Sequence, residues 1–330
     1  MADELTKTAR RRRVWCETLP LEELESRAVL RLLRRYDLEV LLAVTPETRS
    51  GAARAFRALE DHGVRAGLWP MIGDDEGRWA SSATLSAYTA YVDAVTSGLV
   101  DEGVPPREIA FDLEPPFLAA KAASHGAVAG PVRTAMRLRG AFAEAHASLA
   151  RTVERLGAGV EISCAAVPLV LLDGDDRGAP FYQSLLGTPV DGVAFGAVSI
   201  MAYTSMLEGW SRGLLDRRAS LGVLGECARL AKARYGARAS LSLGTVGTGA
   251  FHDEPIYRDP RELAEDVAVA RAFGVDDLTL FDLGGVVRRA PAEAWLDAFT
   301  TDGAAPTSLP RRVTLGSAFL RGLGRWWGRP

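Results

Sequence analysis

Ile109-Ala110-Phe111-Asp112-Leu113-Glu114-Pro115-Pro116 is a strand-length run in which apolar and acidic residues interleave and two prolines close the end. Strand side chains alternate between faces. Phe111 and Leu113 therefore share one face, and Ala110, Asp112 and Glu114 share the other. Proline cannot donate to a ladder, so the strand stops at Pro115-Pro116.

Outward from this run, short apolar stretches alternate with longer segments of helical spacing. The strand candidates are Val14 to Cys16, Glu39 to Val44, Ala66 to Trp69, Ile109 to Leu113, Val160 to Ala165, Val198 to Tyr203, Ser240 to Leu243 and Leu278 to Phe281. Helical spacing covers Leu21 to Arg35, Ser50 to His62, Ser82 to Val100, Pro131 to Leu156, Leu214 to Tyr235, Pro260 to Phe273 and Pro291 to Phe299. Gly63, Gly157 and Gly274 suit the position just past a helix, where glycine takes a positive φ cheaply. Asp259-Pro260 and Ala290-Pro291 put proline near a first helical turn.

Such alternation implies parallel strands joined by right-handed crossovers. Eight units predict a single (β/α)8 TIM barrel over residues 1–300, followed by a linker and tail over 301–330. An open doubly wound sheet would show a glycine-rich turn after its first strand. Here that strand runs into Cys16-Glu17-Thr18-Leu19-Pro20, without glycine. In a barrel, Phe111 and Leu113 face the helices. Ala110, Asp112 and Glu114 face the interior, with Glu114 nearest the C-terminal rim.

Of the 330 residues, 48% are apolar and 25% charged, with a net charge of −3, which excludes disorder. The near-neutral balance also points away from nucleic acid, which needs a basic excess. Cys16, Cys164 and Cys227 are too scattered for a disulfide framework. His62, His125, His146 and His252 lack metal-ligand spacing. No apolar run reaches the roughly 18 residues of a membrane span. No signal-peptide core follows Arg10 to Arg13, so the expected location is cytoplasmic, with peripheral membrane contact as an extension.

That extension comes from the tail. Thr301 to Leu309 reads as a linker. Arg311 to Pro330 carries five arginines (Arg311, Arg312, Arg321, Arg325 and Arg329) and no acid. Leu315, Phe319, Leu320, Leu323, Trp326 and Trp327 are interleaved with them. This is the pattern of a basic amphipathic helix on an anionic membrane surface. The alternative is a helix packed back on the barrel, with leucine and tryptophan as anchors.

Two acids on the inner face of a buried strand are costly, and packing alone would place aliphatic residues there. Such a pair has a chemical use. One carboxylate raises the pKa of its neighbour, and a glutamic acid kept protonated can donate to a leaving-group oxygen. That is the general-acid role in glycoside cleavage. The structural alternative is a buried ion pair with an arginine. Glu114 is thus the expected proton donor and Asp112 its electrostatic partner. Tyr203, on one face of its strand with Ser199 and Met201, would hold the substrate. Glu17, Trp15, Trp69, Met201 and Asp282 are expected substrate contacts, the tryptophans as flat stacking surfaces. The expected partner is a carbohydrate or another polyhydroxylated small molecule. No cofactor is called for. An acidic trio can hold Mg²⁺, and Glu17, Asp112 and Glu114 would do so if they converged, but nothing in the sequence requires a metal.

These residues resemble the chitinase-like family 18 glycosidases. Those barrels carry D-x-x-D-x-D-x-E at the fourth strand, with the last Glu as general acid, and M-x-Y-D at the sixth. Asp112-Leu113-Glu114 is similar to the final D-x-E, and Met201-Ala202-Tyr203 to M-x-Y. The two earlier aspartates fall on Arg107 and Ala110, and the one after the tyrosine on Thr204. In the family those acids assist an N-acetyl group of the substrate, so the resemblance implies the acid catalyst more than that assistance. Leu113-Glu114-Pro115 is also similar to the Asn-Glu-Pro of another glycosidase clan. That clan needs a Glu ending the seventh strand, where Gly244 to Gly249 stand and Glu254 comes late.

Two other readings compete. Gly244 to Gly249 and Gly284-Gly285 follow strands seven and eight, where barrels often cradle a phosphate, which would suit a phosphorylated small molecule. No lysine lies near a strand end for Schiff-base chemistry. A barrel that has lost acids can also persist as a non-catalytic carbohydrate-binding protein.

Overall fold

The computed structural model describes residues 10–124, 129–173, 180–211, 213–303, 305 and 308–327. Its strands are β1 (Arg12–Cys16), β2 (Glu39–Val44), β3 (Ala66–Pro70), β4 (Glu108–Leu113), β5 (Glu161–Ala166), β6 (Ala197–Met201), β7 (Ala239–Gly244) and β8 (Asp277–Phe281). All pair in parallel and in sequence order, and β1 closes on β8. The predicted barrel is therefore present, with each strand candidate within two residues of its place.

Local chemistry sets the helix boundaries. The single helix expected over Leu21 to Arg35 is two, Leu21–Leu24 and Arg27–Arg35. Ser26 separates them, and its hydroxyl accepts from Val29 N at 3.3 Å, a serine doing better as a cap than inside a helix. Gly63 and Gly274 take φ of 71° and 78° just past their helices. Gly157 does not do so, because the helix Ala129–Gly157 runs through it. Asp259 caps Pro260–Ala272 by accepting from Arg261 N at 2.8 Å. Four short helices lie in segments read as loops: Phe117–Ser124, Phe181–Leu186, Thr204–Trp210 and Leu283–Arg288. Each is too short to display a full apolar period.

The barrel interior is layered. At the floor, buried Arg13 donates to Glu108 at 2.7 Å, Asp277 at 2.8 Å and Ser240 Oγ at 3.0 Å. Arg11 joins Glu108 at 2.6 Å, Glu39 at 2.7 Å and Glu161 at 2.6 Å. Burial pushes the Glu108 carboxyl up. The two guanidinium groups and the Ser163 hydroxyl more than offset this and leave it below the usual range. Above the floor lies a layer of hydroxyls. Ser199 and Ser242 are 3.0 Å apart, and Trp15 Nε1 donates to Ser242 Oγ at 3.0 Å. Next come Trp15, Leu41, Ala43, Trp69, Met71, Ala110, Ala165 and Phe281, packed together in the barrel's mouth. Phe111 and Leu113 point the other way, into the core between strands and helices.

The tail helix, Arg311–Trp327, packs on Arg217–Tyr235, Pro168–Leu172 and Phe181–Leu186. Hydroxyls make part of this contact. Ser317 Oγ donates to Glu226 at 2.7 Å, and Tyr182 Oη donates to the Leu320 carbonyl at 2.7 Å. Gly324 sits where a Cβ would come within 2.7 Å of the Tyr182 ring, and Gly222 where one would crowd Pro310 and Val313. The contact is thus built from small residues and hydroxyls. Leu315, Phe319 and Trp326 turn outward, 69%, 66% and 68% exposed. The Trp327 side chain, Arg329 and His125 lie outside the described residues.

Glu108→Gln removes the anion shared by Arg11 and Arg13. Because it leaves buried positive charge short of a partner, unfolding free energy is expected to fall by about 3–5 kcal/mol in urea titrations. A loss under about 1 kcal/mol would show that the floor does not depend on this carboxylate.

Candidate active site

The cavity at the C-terminal end of the barrel has a volume of about 620 Å³. Asp112 and Glu114, from the end of β4, lie on its wall with Glu17, Trp15, Trp69, Met201 and Tyr203. The alternation read from Ile109 to Pro116 is thus how the strand stands. Asp112 is only 3% exposed, whereas Glu114 is half-buried at the mouth. Trp79 Nε1 donates to the Pro115 carbonyl at 2.6 Å and pins the end of the strand.

The two carboxyls line the same cavity, and each is pushed toward its protonated form. Burial is the largest influence on Asp112, and the nearby Glu17 charge adds to it. Together they push it up to about 7, while the Trp69 indole and Arg78 pull the other way. Burial, then Asp112, then Glu17 hold Glu114 well above the usual carboxylate range. Among the described residues, neither acid is ion-paired to an arginine. Arg78, whose charge acts on both, is ion-paired to Glu17 and Asp74. Among the described residues, Asp112 Oδ1 and Trp69 Nε1 are buried without a hydrogen-bond partner. Such groups carry a cost unless something binds them.

The Tyr203 hydroxyl is held well above its ordinary pKa by burial and by the Asp112 and Glu114 charges, so it remains a donor. Tyr203 lies past the end of β6, as the residue before the helix Thr204–Trp210, yet still reaches the wall. Trp15 and Trp69 pack at 4.5 Å between centroids, 55° apart. Trp69 also meets Phe281 edge-on at 6.4 Å.

Asp282 is a correction. It is buried and off the cavity wall. Oδ1 accepts from Gly285 N at 2.9 Å and Oδ2 from Thr18 Oγ1 at 2.7 Å, so it caps the helix Leu283–Arg288. The glycine loops have a packing reason. A Cβ on Gly247 would come within 2.7 Å of Gly285 Cα, so the two loops press against each other. Glu254 does reach the wall, but its oxygens accept from Gly249 N at 3.1 Å and Phe251 N at 2.8 Å and shape that loop.

Trp79 on the wall, and Arg78 and Phe117 beside it, carried no sequence signal. Arg78 and Trp79 come from the irregular segment after β3, and Arg78 takes φ 63°. Phe117 stacks on Phe251 at 5.5 Å and roofs this side. The positions that depart from the family pattern are absorbed elsewhere. Arg107 is outside the barrel near Glu60, and Ala110 is interior core. Thr204 donates to Asp266 at 2.6 Å and accepts from Arg217 at 2.9 Å. Among the described residues, no group of three or more His, Cys, Asp or Glu is arranged to hold a metal ion.

No family model matches the sequence, and no curated protein matches it. Solved structures do. The PgaB (BpsB) glycoside hydrolase domain from Bordetella bronchiseptica is similar at a TM-score of 0.54 and 11% identity, over 89% of this chain and 99% of that one. A GH5_18 protein from Bifidobacterium longum subsp. longum, in complex with Manβ1-4GlcNAc, is similar at 0.52 and 13%, over 82% of this chain and 68% of that one. At such identities the likeness is one of fold alone.

A carboxyl with a raised folded-state pKa costs stability once the pH passes its unfolded value near ~4, and the cost grows up to the folded value. Asp112→Asn is therefore expected to be more stable than the native protein by about 1–3 kcal/mol at pH near ~8. The gain should vanish near ~4, below both values. A constant difference across that range, in unfolding curves taken at each pH, would mean that Asp112 titrates normally.

Proposed function

We propose that this protein hydrolyses a glycosidic bond, with Glu114 as the general acid. The observation that carries the reading is the placement of Asp112 and Glu114 together on the wall of a tryptophan-lined cavity, where burial and neighbouring acids push both carboxyl pKa values up. The glycoside hydrolase-like fold supports it, as does a disaccharide bound to one protein of similar fold.

In this mechanism Glu114 gives its proton to the glycosidic oxygen as the bond to the anomeric carbon breaks. Positive charge then develops on the sugar, facing Asp112 and Glu17 in a site of low dielectric where opposite charges attract strongly. Water adds to the anomeric carbon and its released proton restores the acid pair. Tyr203 donates to the substrate beside the reacting carbon, Trp15 and Trp69 stack on the ring, and Met201 fills the space beneath it. Trp69 Nε1 and Asp112 Oδ1 find in a sugar hydroxyl the partner they otherwise lack. Substrate-assisted attack has little support, because Thr204 is engaged with Asp266 and Arg217.

The test compares two leaving groups in a panel of glycosides. An alkoxide leaving group needs the proton of Glu114, whereas 2,4-dinitrophenolate does not. Glu114→Gln is expected to lower kcat about 10²–10⁴-fold on alkyl glycosides and far less on dinitrophenyl glycosides. An equal effect on both, or no hydrolysis by the native protein of sugars that it binds, would overturn the proposal. The second outcome would leave a non-catalytic carbohydrate-binding barrel.

A further inference from the structure

The cavity wall beyond β5 and β6 is largely aliphatic, with Trp210 and Phe251 beside it. Val167, Leu186, Met206, Leu207, Leu215 and Val223 line it, and all are half-buried, so apolar surface is left facing the cavity. They come from separate places: the end of β5, the end of Phe181–Leu186, the helix Thr204–Trp210, and the start of Arg217–Tyr235. Leu169, 42% exposed, continues the wall to the rim. Among the described residues, no Asn, Gln, His, Lys or Arg is on the cavity wall. A second sugar would want planar hydrogen-bonding groups or flat aromatic faces. Branched aliphatic side chains offer neither, and are suited to covering hydrocarbon. Pockets for whole ligands run from roughly 300 to 1,000 Å³. This one, at about 620 Å³, has room for more than the reacting ring.

We propose that the substrate is amphiphilic: a glycosyl group at Asp112 and Glu114, and a hydrocarbon aglycone along the aliphatic wall. The glycosyl half rests on the function proposed above, and the apolar half stands on the wall itself. The probe is a series of n-alkyl β-glucosides and N-acetyl-β-glucosaminides, methyl to octyl, titrated calorimetrically into Glu114→Gln. Each added methylene is expected to tighten Kd by about 2–4-fold until the wall is covered. Leu207→Asn in the same background is expected to flatten that dependence. Affinity independent of chain length, or no binding at all, overturns the proposal. Turnover of the series by the native protein separates the two readings. Chain-dependent affinity without turnover upholds the wall and defeats the glycosidase, and turnover with flat affinity does the reverse.

The tail helix carries a second, independent proposal. Leu315, Phe319 and Trp326 fall on one stripe of Arg311–Trp327, and this stripe faces away from the barrel. An amphipathic helix ordinarily turns its large apolar face inward. Here the small side is packed and the large side presented. Exposed Arg311, Arg312 and Arg325 lie near it, Arg312 also reaching Asp216 at 3.3 Å, and the helix holds no acid. We infer that this face docks on an anionic lipid bilayer. Aromatic and aliphatic groups would enter the acyl boundary, and guanidinium groups would meet the head groups. A second copy of the chain is the poorer occupant, since it would bring arginine against arginine. In flotation assays the protein is expected to bind mixed phosphatidylcholine–phosphatidylglycerol vesicles at least about 10-fold more tightly than pure phosphatidylcholine ones. Phe319→Ser with Trp326→Ser is expected to abolish that binding with thermal unfolding unchanged. Equal binding to both vesicles, binding to neither, or a dimer that these substitutions dissociate would each overturn it.

Discussion

Two carboxyls two residues apart on a strand must share a face, and on a barrel strand that face is the interior. This constraint organises the mouth of the molecule. Burial and the neighbouring acid charges push Asp112 and Glu114 toward their protonated forms, and among the described residues no arginine is ion-paired to either. The barrel elsewhere does what packing asks. Its floor pairs Arg11 and Arg13 with Glu39, Glu108 and Asp277, and serine hydroxyls satisfy one another above it. The same protein that neutralises buried charge at one end leaves a strained acid pair and two unpartnered polar atoms at the other. Natural sequences tend to break local rules where they bind or react.

Much of the fold was legible because its signals are local and periodic. The eight apolar runs, the glycines at Gly63 and Gly274, and the alternation through β4 are each set by a few neighbouring residues. Ser26 shows the limit. A helical pattern crosses it, but its hydroxyl does more as a cap than the backbone does as a continuous helix. The short helices in the loops lack enough turns to write a period.

The site was half legible for a related reason. Asp112, Glu114, Tyr203, Trp15 and Trp69 stand on strands or next to them, so alternation fixes where they point. Arg78 and Trp79 do not. The irregular segment that carries them has no period, and nothing in its residues shows that it folds over the β4 end. Asp282 looked like a rim acid and proved to be a cap, since a cap and a ligand contact call for the same residue at the same place. The aliphatic wall escaped attention because its members come from four segments and resemble ordinary core until the cavity between them is visible.

The central claim is that the Asp112–Glu114 pair keeps a proton at neutral pH. Carbon-13 NMR of protein labelled at the Asp and Glu carboxyls reads it directly, with assignments from the two single amide variants. The account predicts that one proton stays on the pair through neutrality, with the resonances of both carboxyls moving together as it leaves. Independent titration of both carboxyls in the ordinary acidic range would contradict it.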